Sequence, residues 1–374
     1  MTDCVVIAAG GTGGHVIPAL AVSDVLRSRD VDVVWLGTRS GLEARLVPAA
    51  GVDIRWIAVA GLRGKGMLNT LVAPLKLLGA CVQCLSLLAK LKPRAVLGMG
   101  GFVSGPAGIA ALILRKPLVL HEQNAIPGMT NRHLSRFATR VFSAWANVFG
   151  ENVRAEIVGN PVSASIASLA QSNGLVEDVV AAEAVEAVED KSEQALRVLV
   201  VGGSRGAAIL NARIPEALKE INFPITVRHQ CGAGNQANVS DAFKASYNTD
   251  VSIDVSVEEF ITDMASAYQW ADLVICRSGA MTVTELSALA KPSVLVPFPH
   301  AVDDHQTANA KRLSDKGAAI LLPQNELTTA RLVTELERFA RDRNLLVAMS
   351  QQARQQFRSD AAERVADALI EVSQ

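Results

Sequence analysis

The feature that most limits what this chain can become is a series of short runs that are apolar at nearly every position. Val5 to Ala8, Val31 to Leu36, Ile54 to Val59 and Leu118 to His121 read as strands, and longer patterns between them, such as Ala107 to Leu114, read as helices. A strand with one wet face alternates polar and apolar residues. Where alternation is missing, both faces are covered by helices, as in a parallel sheet. The pattern restarts after residue 195, where Val198 to Val201, Ile225 to His229, Val251 to Val255, Leu273 to Cys276 and Val294 to Val296 form a second set. Two open α/β domains follow, and 374 residues at 49% hydrophobic content suffice to give each its own core.

The first domain is expected over 1–162 and the second over 196–356. Between them, 163–195 carries Glu177, Asp178, Glu183, Glu186, Glu189 and Asp190 before its first base, Lys191, and reads as a solvated acidic linker or insertion. Gln351 to Glu371 is an amphipathic helical stretch, and the C-terminal helix from about 357 to 374 is expected to pack back on the first domain.

Charge and cysteine usage exclude several function classes. Thirty-six Lys and Arg against 37 Asp and Glu leave a formal charge of −1, so no global field captures nucleic acid and an anionic ligand must be held locally. The cysteines, Cys4, Cys81, Cys84, Cys231 and Cys276, are odd in number and irregular in spacing, which suits a reducing cytoplasm better than a disulfide framework. Cys81-x-x-Cys84 lies in an apolar helical stretch with no second ligand pair, and reads as packing. The first residues, MTDCVVIAAGGTGGH, lack the basic start of a signal peptide. Leu71 to Leu91 is interrupted by Lys76, Gln83 and Lys90, short of the ~18 uninterrupted apolar residues of a span, so no transmembrane helix is expected.

Three glycine-rich turns each leave a strand and enter a helix: Gly10 to Gly14, Gly98 to Gly105 and Gly202 to Gly206. Glycine lets backbone approach a ligand, and the free N–H groups of the helix that follows favour phosphate. A single such turn is compatible with a plain connection. Several at strand carboxyl ends point to binding there. No G-x-G-x-x-G starts at Gly11 and no G-x-x-x-x-G-K-[ST] exists, which sets aside a dinucleotide site and an ATPase loop.

Other polar groups collect at the same strand ends. Glu285, early in the helix after Arg277-Ser278-Gly279, either complements the helix dipole or accepts hydrogen bonds from two ribose hydroxyls. Gln306 and Asn309, three apart, can present both amides to one sugar. His15, directly after the first glycine turn, is either a packing residue or a catalytic group beside a phosphate cradle. His121-Glu122-Gln123-Asn124 ends a further strand without metal-ligand spacing, and no dedicated metal is expected.

Taken together, GGTGGHVIPALAV (10–22), GMGGFVSGP (98–106), HEQNAIPGMTN (121–131), VGNPV (158–162), GGSRGA (202–207), ADLVICRSGAMTVTE (271–285) and PFPHAVDDHQTANA (297–310) resemble the bacterial MurG family. The resemblance covers nearly the whole chain except the acidic segment around 168–195. It implies a GT-B fold, two Rossmann-like domains with parallel sheets facing a deep interdomain cleft that closes during catalysis. It also implies a glycosyltransferase of peptidoglycan synthesis, which moves GlcNAc with inversion from UDP-GlcNAc to the 4-hydroxyl of MurNAc in undecaprenyl-pyrophosphoryl-MurNAc-pentapeptide.

By motif, the resemblance puts Glu285 on the ribose, Ser204 on the phosphates, Ile261 on the uracil edge, and Ala280, Met281, Thr282, Gln306 and Asn309 on the rest of the donor, with Gly13, Gly14 and Asn124 also donor-facing. Thr12, His15 and Asn124 would form the reaction centre, and Gly100, Gly101 and Ser104 an acceptor or phosphate loop. The general base is left unassigned, and no cofactor is implied. Phe102, Ser163 and Arg205 stand where the family pattern commonly has Tyr, Arg and Gln. The apolar and basic stretch Arg63 to Lys92 would meet an anionic membrane surface, placing the protein peripherally on the cytoplasmic face of the inner membrane. The competing readings are a UDP-GlcNAc 2-epimerase on the same fold and a non-catalytic UDP-sugar-binding protein.

Overall fold

The computed structural model describes residues 4–58, 66–172, 194–203, 206–245 and 251–373, with backbone only for 66–73. Most of the acidic segment (173–193), Ser204 and Arg205, and Arg63 and Lys65 lie outside these residues. The chain divides into two units, Met1–Ala164 with Arg358–Gln374, and Ser165–Phe357.

The first unit runs β1 (Cys4–Ala8), α1 (Gly13–Ser28), β2 (Asp32–Gly37), α2 (Glu43–Ala49), β3 (Asp53–Trp56), α3 (Gly66–Leu91), β4 (Ala95–Gly98), α4 (Ser104–Ile113), β5 (Leu118–Glu122), α5 (Met129–Leu134), β6 (Arg140–Ser143) and β7 (Ala155–Ile157). Its sheet is parallel throughout, in the order β3-β2-β1-β4-β5-β6-β7. β1, apolar on both faces, pairs Val5 with Val33 on one side and with Ala95 on the other. Val5 and Ile7 face one core and Val6 and Ala8 the other, so a single strand feeds two layers of helix packing.

A helix over 164–172, α6, opens the second unit, which begins at Ser165. That unit contains β8 (Leu196–Val201), α7 (Ala208–Leu218), β9 (Ile225–Gln230), α8 (Gln236–Lys244), β10 (Ile253–Glu258), α9 (Met264–Trp270), β11 (Leu273–Cys276), α10 (Ala280–Ala288), β12 (Ser293–Leu295), α11 (His305–Ser314), β13 (Ala319–Leu321), α12 (Thr329–Arg341) and α13 (Asn344–Arg354). Its parallel sheet is ordered β10-β9-β8-β11-β12-β13. β10 starts two residues later than the apolar run suggests and alternates half-buried Ile253 and Val255 with exposed Asp254 and Ser256, because an edge strand keeps one side wet.

In both sheets the strand order reverses beside the first strand, between β1 and β4 and between β8 and β11. At such a reversal the flanking loops run to opposite faces and leave a crevice at the strand carboxyl ends. The turns Gly10 to Gly14 and Gly98 to Gly105 flank the first reversal. Gly202, Gly203 and Gly206 on one side and Arg277 to Gly279 on the other flank the second.

Gln351 to Glu371 is not one helix. α13 stops at Arg354 and α14 (Ala361–Glu371) begins after a break where the chain passes from the second unit to the first. Within the first unit, Val365, Ala366, Ala368 and Leu369 of α14 enter the core that holds Val16, Ala19, Val22 and Leu26 of α1. Burial of Val365 and Leu369 contributes about 1.5–3 kcal/mol each. Arg29–Asp367 and Arg140–Glu371 ion pairs border this contact.

α3 also differs from expectation. Its Pro74–Leu91 stretch has a mean hydropathy of 1.4 and only 22% of it is buried, so by length and composition it is apolar enough to cross a membrane despite Lys76 and Lys90. Ala80, Cys84 and Leu88, spaced by four, are buried in the core under the sheet. Leu75, Leu78 and Val82, on another face, are 69, 62 and 57% exposed. A helix committed to a core along one stripe lies along its domain, with a second apolar stripe uncovered. Burial pushes the Cys84 thiol up to about 12, in keeping with Cys84 as a packing residue.

Candidate active site

The first glycine turn is held from below by a carboxylate. Glu43 is fully buried at the start of α2 and accepts from Gly11 N–H at 2.9 Å, Thr38 N–H at 2.9 Å and the Thr38 hydroxyl at 2.6 Å. A Cβ at Gly10 would stand 2.6 Å from Glu43 Oε1, so glycine is required there. The Trp35 indole donates to Ala9 O at 2.9 Å and fixes the same turn from β2. Thr12, exposed, is the N-cap of α1 without a side-chain cap bond, and the first turn of that helix carries no acid. Gly13 and Gly14 therefore present N–H groups that have no intrahelical acceptor, at the positive end of the helix.

The second glycine turn folds against the first. At Gly101, with φ +80°, a Cβ would lie 2.2 Å from Gly10 O, and at Gly100, with φ +98°, one would lie 2.7 Å from His15 Nδ1. Ser104 is fully buried; its hydroxyl accepts from Gly100 N–H at 2.9 Å and donates to Ala8 O at 2.6 Å. It holds the turn and is not open to a ligand. Phe102 is 50% exposed beside it.

His15 is partly buried and its Nδ1 lies 3.0 Å from Gln123 Oε1. Its Nε2 makes no hydrogen bond among the described residues. Glu122, 2% exposed, accepts from Asn124 N–H (3.0 Å) and Asn124 Nδ2 (3.2 Å) on one oxygen, and from Gly128 N–H (3.0 Å) and Asn131 Nδ2 (2.9 Å) on the other. With both oxygens engaged, Glu122 shapes the loop that presents Asn124. Thr12, Gly13, Gly14, His15, Gly100, Gly101, Ser104 and Asn124 thus surround one reversal point.

In the second unit, Gly202 N–H donates to Gln230 O at 3.0 Å and Gly203 N–H to Gln230 Oε1 at 3.2 Å. Ser204, the expected phosphate ligand, lies outside the described residues. α10 starts at the uncapped N-cap Gly279, with no acid in its first turn. The N–H groups of Ala280, Met281 and Thr282 precede the first intrahelical bond, from Val283 to Gly279 O (3.0 Å), and form an anion-favouring end.

One turn further on, Glu285 accepts from the buried Tyr268 hydroxyl at 3.2 Å. Burial pushes its carboxyl up to about 7, against a smaller lowering by the Tyr268 hydrogen bond. The neighbouring Cys276 thiol is also pushed up by burial and by Glu285. A carboxylate held at such a cost has an unmet demand for hydrogen-bond donors. Ile261 is buried in the β10–α9 loop, beside Phe260, which is 51% exposed.

Gln306 and Asn309 differ from the expectation that both amides reach a sugar. Asn309 is fully buried and its Nδ2 donates to Ser278 O at 3.2 Å, while Ser278 Oγ donates to Gln306 O at 2.8 Å. Gln306 Oε1 accepts from Phe298 N–H at 2.9 Å. These bonds stitch α11 to the turn before α10. Helical spacing places both side chains on one face, but does not say that the face packs against another turn. Arg277, which donates to Val296 O (3.1 Å), Pro297 O (3.0 Å) and Gln324 Oε1 (2.7 Å), is a further brace of this turn.

Glu43, Gln123 and Tyr268 are site residues that sequence patterning does not single out. Glu43 sits 32 residues from the turn it supports, and nothing in its own neighbourhood marks it as buried. Gln123 lies in a motif of four polar residues that spacing alone does not rank, and Tyr268 reads as an ordinary helix position.

Residues 5–143 match the glycosyltransferase family 28 N-terminal domain, and residues 197–365 the family 28 C-terminal domain. A protein of Nitrosococcus oceani, named UDP-N-acetylglucosamine--N-acetylmuramyl-(pentapeptide) pyrophosphoryl-undecaprenol N-acetylglucosamine transferase, is 48% identical over 99% of this chain and 98% of its own. One of the same name from Chromohalobacter salexigens is 46% identical over 99% and 97%. The crystal structure of Acinetobacter baumannii MurG superposes with a TM-score of 0.79 at 36% identity, over 99% of each chain. A UDP-GlcNAc 2-epimerase from Neisseria meningitidis shares the fold alone, at 12% identity and a TM-score of 0.65 over 99% of this chain and 100% of that one.

Proposed function

The chain belongs to the MurG family within glycosyltransferase family 28, and from that membership we infer that it transfers GlcNAc from UDP-GlcNAc to MurNAc in undecaprenyl-pyrophosphoryl-MurNAc-pentapeptide. The muramyl 4-hydroxyl attacks the anomeric carbon, a base removes its proton, and UDP leaves from the opposite face. The observation that carries this chemistry is His15, held by Gln123 through Nδ1, with Nε2 unbonded among the described residues and the ring beside two glycine turns. Nε2 takes the hydroxyl proton. The N–H groups at the start of α10 receive the departing pyrophosphate, and Glu285 accepts from the ribose hydroxyls. The N–H groups at the start of α10 offset part of the leaving group's charge, and the proposed reaction uses no metal or cofactor.

In-line attack on the α-linked donor gives a β-linked product. Proton NMR of the disaccharide product is expected to show the large anomeric coupling of a β-glycoside, and an α-linked product would rule out a single displacement.

Glu285 gives the donor site a pH dependence. Ribose hydroxyls bind its carboxylate in preference to its neutral form, so affinity is full above a pKa of about 7 and is lost as pH falls through it. If only the ionised form binds, UDP affinity drops roughly tenfold from pH 8 to pH 6. The terminal phosphate of UDP itself titrates near pH ~6, so Glu285→Gln supplies the baseline. Titration calorimetry of wild type should show the steeper fall; parallel profiles would remove Glu285 from the ribose.

The lipid acceptor stays in the bilayer, and a UDP-sugar donor is supplied from the cytoplasm, so the enzyme works peripherally at the cytoplasmic face of the inner membrane. Leu75, Leu78 and Val82 on α3, with Ile113 at the end of the adjacent α4 (60% exposed), form the contact face. Lys76 and Arg115 are exposed beside them. The side chains of Met67, Leu68 and Leu71 in the same apolar stretch lie outside those described. Apolar burial contributes about 25 cal/mol per Å2 and each base roughly 1 kcal/mol against anionic lipid. Wild type should pellet with anionic liposomes, less at high salt, and a Leu75→Glu, Leu78→Glu double mutant should remain in the supernatant while still binding UDP. Equal sedimentation of the two would place the membrane face elsewhere.

A further inference from the structure

Gln123 lies between two imidazoles. Its side chain and that of His121 are fully buried, and the bonds run from His15 Nδ1 to Gln123 Oε1 (3.0 Å), from Gln123 Nε2 to His121 Nδ1 (3.1 Å) and from His121 Nε2 to Gly159 O (2.8 Å). A hydrogen bond from Asn160 Nδ2 to Gln123 O, at 3.1 Å, fixes the backbone between them.

The protons along this line are determined by chemistry at its inner end. A carbonyl oxygen only accepts, so His121 Nε2 carries a proton. Burial lowers the His121 pKa to about 4, which keeps the ring neutral and leaves Nδ1 a bare acceptor. Only the NH2 group of the Gln123 amide can donate to it. The reverse amide orientation would set Oε1 against a lone pair, or demand a buried imidazolium. Oε1 therefore faces His15, and since it too only accepts, His15 must supply the proton from Nδ1. Glycine at position 100 lets the ring occupy this place, since a Cβ there would be 2.7 Å from His15 Nδ1.

We propose that Gln123 is a positioning residue that passes the tautomer of His121, anchored on the Gly159 carbonyl, to His15, so that His15 keeps its proton on Nδ1 and its lone pair on Nε2. The proposal rests on the reading of His15 as the base and explains how a partly buried histidine keeps its basic lone pair on Nε2. A neutral histidine without such a partner favours the proton on Nε2, where it would block acceptance of the sugar hydroxyl proton.

The test starts with the unmodified enzyme. A long-range nitrogen–proton NMR spectrum of histidine-labelled protein, recorded at alkaline pH, should show His15 protonated at Nδ1. A proton at Nε2 overturns the proposal without any mutation. Gln123→Met, of similar size and unable to bond, should return His15 to mixed tautomers and lower kcat by about 10²-fold, short of the roughly 10⁴-fold found where a triad histidine is locked in the wrong tautomer. Donor KM should stay unchanged. Unchanged kcat in Gln123→Met, in a protein where His15→Ala is inactive, overturns the role of Gln123 and leaves His15 as base. An active His15→Ala enzyme overturns the base reading itself.

Discussion

Replacing His15 with alanine is expected to lower kcat by about 10²–10⁴-fold, the usual contribution of a general base, while UDP affinity stays within about twofold of wild type because the α10 donor elements are untouched. The effect belongs to turnover because, in the proposed reaction, His15 Nε2 takes the proton of the acceptor hydroxyl. The fold should tolerate the change: His15 is partly exposed, its one described side-chain bond is to Gln123, and α1 keeps its core face through Val16, Ala19, Val22 and Leu26. Steady-state kinetics at saturating donor and acceptor, with calorimetry for UDP, separates the outcomes. Near-normal kcat would return His15 to a packing role.

Glu285→Ala should act on the opposite quantity. Two hydrogen bonds from ribose hydroxyls to a carboxylate are worth about 1.5–3 kcal/mol each, so UDP binding should weaken by up to roughly 10²–10⁴-fold. At neutral pH the loss is about twofold smaller than at pH 8 or above, because burial raises the carboxyl pKa to about 7 and half of the free site is then protonated. The substitution also strips the Tyr268 hydroxyl of its acceptor at 3.2 Å. Glu285→Gln, which keeps an oxygen for Tyr268, therefore distinguishes loss of charge from disturbance of the helix. Wild-type affinity for UDP in a folded Glu285→Ala protein would mean that the ribose lies elsewhere.

Architecture was legible in the sequence wherever a strand was buried on both faces. β1, β8 and β11 announce themselves because Val, Ile and Ala occupy consecutive positions, and the glycines that follow them mark where backbone crosses backbone. β6 and β7 give no such signal: β6 has only two apolar residues between Arg140 and Ser143, and Glu156 interrupts the three residues of β7. The break between α13 and α14 is hidden for a different reason, since amphipathic spacing continues across Gln355 to Asp360 while the chain changes units.

Within the site, local motifs revealed the residues that sit on the turns, and long-range contacts concealed those that hold the turns. His15 and Glu285 are conspicuous because each follows a glycine junction. Glu43, by contrast, is an ordinary helix-start acid until the fold brings Gly11 and Thr38 to it. The Asn309 amide shows what spacing leaves out: three residues from Gln306, it shares that face, and its Nδ2 donates to the Ser278 carbonyl. The α3 helix was legible in composition, but only packing shows that Ala80, Cys84 and Leu88 point inward and leave Leu75, Leu78 and Val82 uncovered.

The most direct test of the central claim is a transfer assay with UDP-GlcNAc and a short-chain lipid-pyrophosphoryl-MurNAc-pentapeptide, following UDP release and the lipid product together by mass spectrometry. The account predicts one UDP per disaccharide lipid formed and no UDP-GlcNAc consumed when the acceptor is left out. Acceptor-independent conversion of UDP-GlcNAc to its 2-epimer, or tight binding of the donor without turnover in the presence of acceptor, would contradict it.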